Sequence, residues 1–139
     1  MWPGNIKKGI VVPDTNEARL SKLMGKWYGF FSQPDEKGKK YSIKKVEVNL
    51  EKEGENITGN VQFFDKSGNT IIHKLYNGVF DGKILIIEYG NKEEYVIQKG
   101  TIVARMSASG SELKGRFIGY SPSQDGIIHG LIYFKDQRE

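Results

Sequence analysis

The sequence predicts an all-β fold: an eight-stranded antiparallel up-and-down β-barrel preceded by one short helix. Three observations predict it. After Gly25 the chain becomes a series of short runs rich in Ile, Val, Phe, Tyr and Thr, separated by clusters of Gly, Asn, Asp, Ser and Pro. No helix-length segment lies between the runs, which excludes the crossovers that parallel strands require. Glycine recurs inside the runs, at Gly29, Gly59, Gly78, Gly100, Gly115, Gly119 and Gly130, where it permits the sharp bends of a small closed barrel. Eight strands is a number at which a sheet can close around side chains or one small ligand, and closure removes the edges. A two-sheet sandwich fits the alternation as well.

The elements follow in order. Pro3 and Pro13 make residues 1–13 an arm rather than an element. A helix is expected over 15–24. Asp14 can cap it, Glu17 stands at capping-box spacing, and Leu20, Leu23 and Met24 form the apolar stripe. Gly25 stands where a glycine would stop the helix. The strands are expected at 26–32, 41–50, 57–65, 70–80, 83–89, 94–106, 112–120 and 127–135, so that one barrel domain occupies 26–135 of a single-domain chain, 1–139. Asp81-Gly82 between two apolar runs suits a type I′ hairpin turn. In 112–120, Leu113, Gly115, Phe117 and Gly119 share one face, and Lys114, Arg116, Ile118 and Tyr120 the other. Ile43 and Val46 fall on opposite parities, which predicts a bulge between them.

Composition bounds what such a barrel can be. The 139 residues suffice for one core, and 37% are apolar, which argues against disorder. The longest aliphatic run, Ile84–Ile87, is far short of the roughly 20 apolar residues of a membrane helix. No secretory leader is visible, and there is no cysteine, so disulfides and thiolate chemistry are excluded and a reducing, cytoplasmic setting is expected. The net charge is +4, and the basic excess lies in residues 1–46, notably Lys37, Lys39, Lys40, Lys44 and Lys45. That cluster reads as a solvated hairpin loop and edge, or as a landing site for phosphates or an anionic membrane surface. Lysines far outnumber the four arginines, so a duplex-DNA reader, which needs arginine forks, is not expected.

No catalytic signature is present: no phosphate loop, no nucleophile elbow, no His-Glu-x-x-His. His73 and His129 read as isolated core or wall residues, so neither a metal nor a cofactor is expected. Glu93 and Glu94 would point to opposite faces of a strand. A non-enzymatic ligand-binding barrel remains, with an active site inside the lumen as the minor reading. Aromatics beside cations can stack on rings and neutralise anions. Arg105 and Arg116, in strands that should be hairpin neighbours, are the anion-binding candidates, with Tyr28, Tyr41, Tyr95 and Tyr120 as their aromatic partners. The plainer reading puts the aromatics in the core and the cations on the wet face.

Two resemblances add to this. Gly25-Lys26-Trp27, opening the first strand after a short helix, resembles the G-x-W motif of lipocalin-like barrels. That resemblance implies that Trp27 plugs the closed end and that an arginine near the last strand, here Arg138, packs over it. Over residues 20–135 the chain also resembles the β-barrel domain of the SMODS-associating, two-transmembrane, β-strand-rich effectors of bacterial anti-phage CBASS systems. The residues that carry it are Leu23-x-Gly25-x-Trp27-x-Gly29, Gln98-x-Gly100-Thr101, Leu113-x-Gly115-x-Phe117-x-Gly119-Tyr120, and Gly126 to Gly130. This second resemblance implies a sensor of a cyclic oligonucleotide, at the cytoplasmic face of the inner membrane in a full-length protein. Membrane association would run through two helices that this sequence does not contain. A carrier of a small apolar ligand and a protein-interaction barrel with a filled core are the alternatives. A homo-oligomer stays open.

Overall fold

The computed structural model describes residues 15–34, 38, 41–64, 67–91, 98–122 and 124–137. One helix, α1 (Asn16–Leu23), precedes eight strands: β1 (Gly25–Pro34), β2 (Tyr41–Glu53), β3 (Asn56–Phe64), β4 (Thr70–Phe80), β5 (Ile84–Asn91), β6 (Lys99–Met106), β7 (Glu112–Ser121) and β8 (Gly126–Asp136). Each strand pairs with the next in sequence, and β8 pairs with β1, so the sheet is a closed antiparallel barrel. The predicted runs all appear as strands. The part of the sixth run before Gln98 lies outside the described residues, as do Asp14, Glu93 and Glu94.

The helix is capped differently from expectation. Its N-cap is Thr15, whose hydroxyl accepts from the Ala18 N–H at 3.0 Å. Gly25 follows the C-cap residue Met24 at φ +111°, a backbone angle that favours glycine and turns the chain straight into β1.

Inward and outward residues alternate along every strand. Trp27, Val46, Val48 and Leu50 face in, as do Leu85, Ile87, Ile102 and Leu113 farther round the wall. The expected bulge between Ile43 and Val46 is absent: the β1–β2 register runs unbroken from Gly25↔Leu50 to Pro34↔Tyr41. Ile43 simply faces outward, 65% exposed. An outward isoleucine is ordinary on a strand, and parity alone misread it. The irregularities lie elsewhere, between Ile57 and Gly59 in the β3–β4 pairing and between Tyr76 and Val79 in the β4–β5 pairing. The second includes Asn77 at φ +53°.

The Asp81-Gly82 turn is also not the two-residue type. Gly82 has φ +96°, but Asp81 is not in the left-handed region. Instead the Asp81 carboxylate accepts from the backbone N–H groups of Lys83 (2.9 Å) and Ile84 (2.7 Å), closing a longer loop. Those two bonds, Ile84's first, hold its carboxyl below the usual range.

Topology gives the barrel two unlike ends. The helix and the β2–β3, β4–β5 and β6–β7 links lie at one end, and the other four links lie at the opposite end, the mouth. At the helix end Trp27 is fully buried, and its indole N–H donates to the Leu23 carbonyl at 2.9 Å. Leu23, Met106 and Leu113 fill the space beside it, each at most 1% exposed. Trp27 is thus sealed into the core beside the end of the helix. Arg138, the expected partner, lies outside the described residues. Among the described residues, the arginine that braces this end is Arg19 of α1. It donates to the carbonyls of Gly82, Met106 (3.3 Å), Ser107 (3.0 Å) and Ala108 (3.1 Å), tying the helix to two inter-strand turns. Lys22 adds an ion pair to the buried Asp136 at 3.5 Å.

Candidate functional site

The lumen is filled from the plug upward and opens only near the mouth, into a cavity of about 70 Å³. Its aromatic rings come from five strands: Phe31 of β1, Phe63 of β3, Tyr89 of β5 and Phe117 of β7, with His73 of β4 among them; Val46 of β2, Val61 of β3 and Ile128 of β8 add aliphatic wall. Gln33, Ser42, Lys44 and Gln98 form its polar rim.

The rings are arranged as an interlocked set. Phe31 packs on Phe117 with centroids 5.1 Å apart, and Phe63 meets His73 edge-on at 5.0 Å. His73 lies parallel to Tyr89, offset at 6.0 Å. The Lys44 ammonium sits 5.2 Å from the Phe63 centroid. Lys44 is exposed and has no ion pair among the described residues.

His73 and Tyr89 are 7% and 4% exposed. Every fully buried side-chain nitrogen and oxygen among the described residues has a hydrogen-bond partner. The polar atoms of His73 and Tyr89 have none, so they face the cavity itself. Burial, and secondarily the nearby Lys44 charge, lowers the pKa of His73, which favours neutral imidazole: one donor and one acceptor. Burial pushes the Tyr89 phenol up to about 12, so it stays protonated. The cavity therefore offers two neutral groups that both donate and accept, aromatic walls, and a cation at its rim.

The residues that sequence reasoning nominated stand elsewhere. Arg105 and Arg116 do lie on neighbouring strands, as expected, but both point outward and are exposed; Arg105 pairs with Lys114, and Arg116 with Val103. Tyr28 is also on the outer wall, and Tyr120 bonds the Asp125 carboxylate at 2.9 Å. None of these four reaches the cavity. Their strand parity is opposite to that of Trp27, Leu113 and Phe117, which sends them away from the lumen. Tyr95 lies outside the described residues, and of Tyr41 only the backbone is described, at the start of β2. The two histidines do not meet: His73 faces in, and His129 is exposed on the outer face of β8. Among the described residues no group of three metal-ligating side chains is found.

One signal for the cavity was present in the sequence. Ile71, His73 and Leu75 alternate on the inward face of β4, and Leu85, Ile87 and Tyr89 on that of β5. A titratable residue on an apolar parity is the mark of a lumen group, although it does not distinguish a site from a satisfied core histidine.

The glycines that carry the family resemblance also face inward. A side chain at Gly29 would run into the Tyr133 carbonyl, and one at Gly115 into the Val103 carbonyl, so strand closeness alone requires glycine there. Gly100 and Gly119 have a different neighbour, the ring of Tyr89, which lies across both.

These features define a closed antiparallel barrel, plugged at one end and carrying a small polar-lipped cavity at the other. A similar solved structure is that of EF1p2_mFAP2b bound to DFHBI. It shares 14% identity with this chain at a TM-score of 0.66, covering 86% of this chain and 97% of its own. At that identity the likeness shows the fold. No family model matches the sequence, and no curated protein matches it. Among the described residues no helix is long and apolar enough to cross a membrane.

Proposed function

We propose that this chain is a non-enzymatic barrel that binds a small ligand at its mouth and, in the most specific form of the reading, senses a cyclic oligonucleotide in bacterial anti-phage defence from the cytoplasm. One observation carries the ligand reading. Two residues more than nine-tenths buried, His73 and Tyr89, turn polar atoms that bond no described residue into an aromatic-walled cavity, with the Lys44 ammonium, which has no ion pair among the described residues, at its rim. Because these atoms reach the cavity surface, a ligand that enters can pair them. The solved barrel EF1p2_mFAP2b, which holds DFHBI, supports small-molecule binding by this fold. The cyclic-oligonucleotide form rests on the resemblance to the barrel domain of the CBASS effectors.

Size limits how such a ligand would sit. A water needs about 10–15 Å³ of such space, so the cavity takes a handful of waters or one inserted ring. A nucleotide would place one base inside and keep its phosphates over Lys44. A long acyl chain finds no depth, because the lumen below is packed. The same packing favours the second reading, an interaction barrel with a filled core.

A thermal-shift panel of cyclic di- and trinucleotides, mononucleotides, fatty acids and haem decides between them. A ligand at a hundred times its dissociation constant stabilises by about 2.7 kcal/mol, roughly 2–8 °C for a domain of this size. A shift with a cyclic nucleotide alone upholds the sensor reading. A shift with fatty acids alone makes the chain a carrier, and no shift with any compound leaves the interaction barrel.

A further inference from the structure

The outward residues of β6, β7, β8 and β1 form two rows that cross the strands. One row is aliphatic around an arginine: Val103↔Arg116↔Leu131, extended to β5 by Ile86↔Val103. Val103, Leu131 and the neighbouring Ile118 are 44%, 44% and 56% exposed. The other row, one step toward the helix end, is aromatic between cations: Arg105↔Lys114↔Tyr133↔Phe30↔Lys45. Between the rows the side chain of Ile132 turns into the core and Gly115 has none, so the wall is dented. An open hollow of about 500 Å³ lies there, walled by Phe30, Lys114, Leu131 and Tyr133 over the strand residues Gly115 and Ile132. Every residue that lines it is described.

The charge on this face is one-sided. Lys45, Arg105, Lys114, Arg116 and Lys135 are all exposed, and none of them makes an ion pair among the described residues. The acids beside them are engaged. Glu112 accepts from the Tyr133 hydroxyl, and Glu47 pairs with Lys26 at 3.5 Å. Along both rows β7, β8 and β1 are paired on each side, so a partner finds no free strand edge there. It must pack side chain on side chain.

We infer that the outer wall of β6–β8 and β1 is a docking surface for an acidic protein segment, which seats one apolar side chain in the hollow between Phe30, Leu131 and Tyr133. Contiguous exposed aliphatics mark interaction surfaces, and arginine and aromatic residues beside a pocket are the usual anchors. The unpaired cations set the sign of the partner. They also exclude a second copy seated wall to wall, which would bring like charges together. Nucleic acid fits less well. Phe30 and Tyr133 lean on each other, with centroids 5.6 Å apart and planes at 41°. The Lys114 ammonium stands 5.5 Å from the Tyr133 centroid, so the rings are not laid out as a platform for successive bases. The surface lies outside the barrel and stands whether or not the mouth holds a ligand.

The test is a selection of short random peptides, displayed on phage, against the full chain. Recovered sequences are synthesised and titrated by fluorescence anisotropy against wild type, Leu131→Gln and the Lys114→Glu/Arg116→Glu double variant. The substitutions fall on exposed side chains, and circular dichroism and the melting point check that each variant folds. The recovered peptides are expected to carry an excess of Asp and Glu around one Leu, Phe or Trp. Each variant is expected to weaken them about tenfold or more, Leu131→Gln through the anchor and the double variant through charge. Tyr89→Phe, in the lumen, should leave their affinity unchanged. Basic or neutral peptides overturn the inference, as does affinity that survives either variant or a selection that recovers no binder. Oligouridine, titrated alongside, supplies the other outcome: if it binds in place of any peptide and the double variant abolishes it, the wall is a nucleic-acid surface and the inference falls.

Discussion

The two ends of the barrel solve opposite problems with the same strands. At the helix end the buried polar side chains among the described residues are tied to protein partners. The Trp27 indole meets a carbonyl, Arg19 gathers four more, and Lys22 meets Asp136. At the mouth, His73 and Tyr89 are nearly buried residues whose polar atoms reach the cavity surface and make no hydrogen bond to any described residue, and across the barrel the β1–β8 pairing ends at Ser32↔Leu131. Good packing concentrates stability at one end, and the other end retains the unpaired groups that a ligand can use.

Predictions that would sharpen or break this contrast run from large effects to small. Trp27→Ala should cost about 3–5 kcal/mol, since it removes a fully buried indole and leaves a cavity; urea unfolding measures it. Arg19→Ala should cost about 1–3 kcal/mol by leaving turn carbonyls without their donor, with Thr15→Ala nearer about 1 kcal/mol through the lost cap. A smaller loss for Arg19→Ala than for Thr15→Ala would deny the brace its role.

Changes at the mouth should act on binding and spare the fold. Tyr89→Phe removes a hydroxyl that has no hydrogen-bond partner among the described residues, so stability should move by no more than about 0.5 kcal/mol, while the ligand-induced shift drops. A large loss of stability would mean that the hydroxyl is structural after all.

The titration signs follow from the same burial. His73 has a pKa below its usual 6.5, so at high pH both folded and unfolded chains hold it neutral. As pH falls below 6.5 the unfolded chain takes up the proton first, and stability declines. Tyr89 works from the other side: its pKa of about 12 exceeds the ordinary 10, so stability declines as pH rises above 10. Melting points between pH 5 and 8 should therefore rise with pH, and His73→Phe should flatten the slope. An unchanged slope would place its cause in another group; Asp81 is not that group, because its lowered pKa acts only below the usual 3.8.

The smallest effect expected is at the outer wall. Arg105→Ala and Arg116→Ala should each lie within about 0.5 kcal/mol of wild type and leave any mouth ligand's shift intact. Loss of that shift in either variant would move the site to the wall, where the residue types alone had suggested it.

That last prediction marks where the sequence was informative. The strands were legible because alternation and turn chemistry act over a few residues, and eight such runs admit few arrangements. The cavity was not, because its groups come from positions 33, 42, 44, 73, 89 and 98, brought together only by closure. Choosing Arg105 and Arg116 for their chemistry ignored their parity, which Leu113 and Phe117 on the same hairpin already opposed. The helix cap and the longer Asp81 turn were missed by one residue each, because Thr and Asp side chains compete for the same backbone donors.

The ring of Tyr89 resting on Gly100 and Gly119 has a consequence for how such a barrel could change its diet. Two absent methyl groups let the phenol lie back against the wall. An alanine at position 100 would meet the ring's far edge and tip it toward His73, into the space a guest would use. The capacity of the mouth is thus written in residues that no guest touches, and a lineage or an engineer could widen or shut it from behind, one carbon at a time.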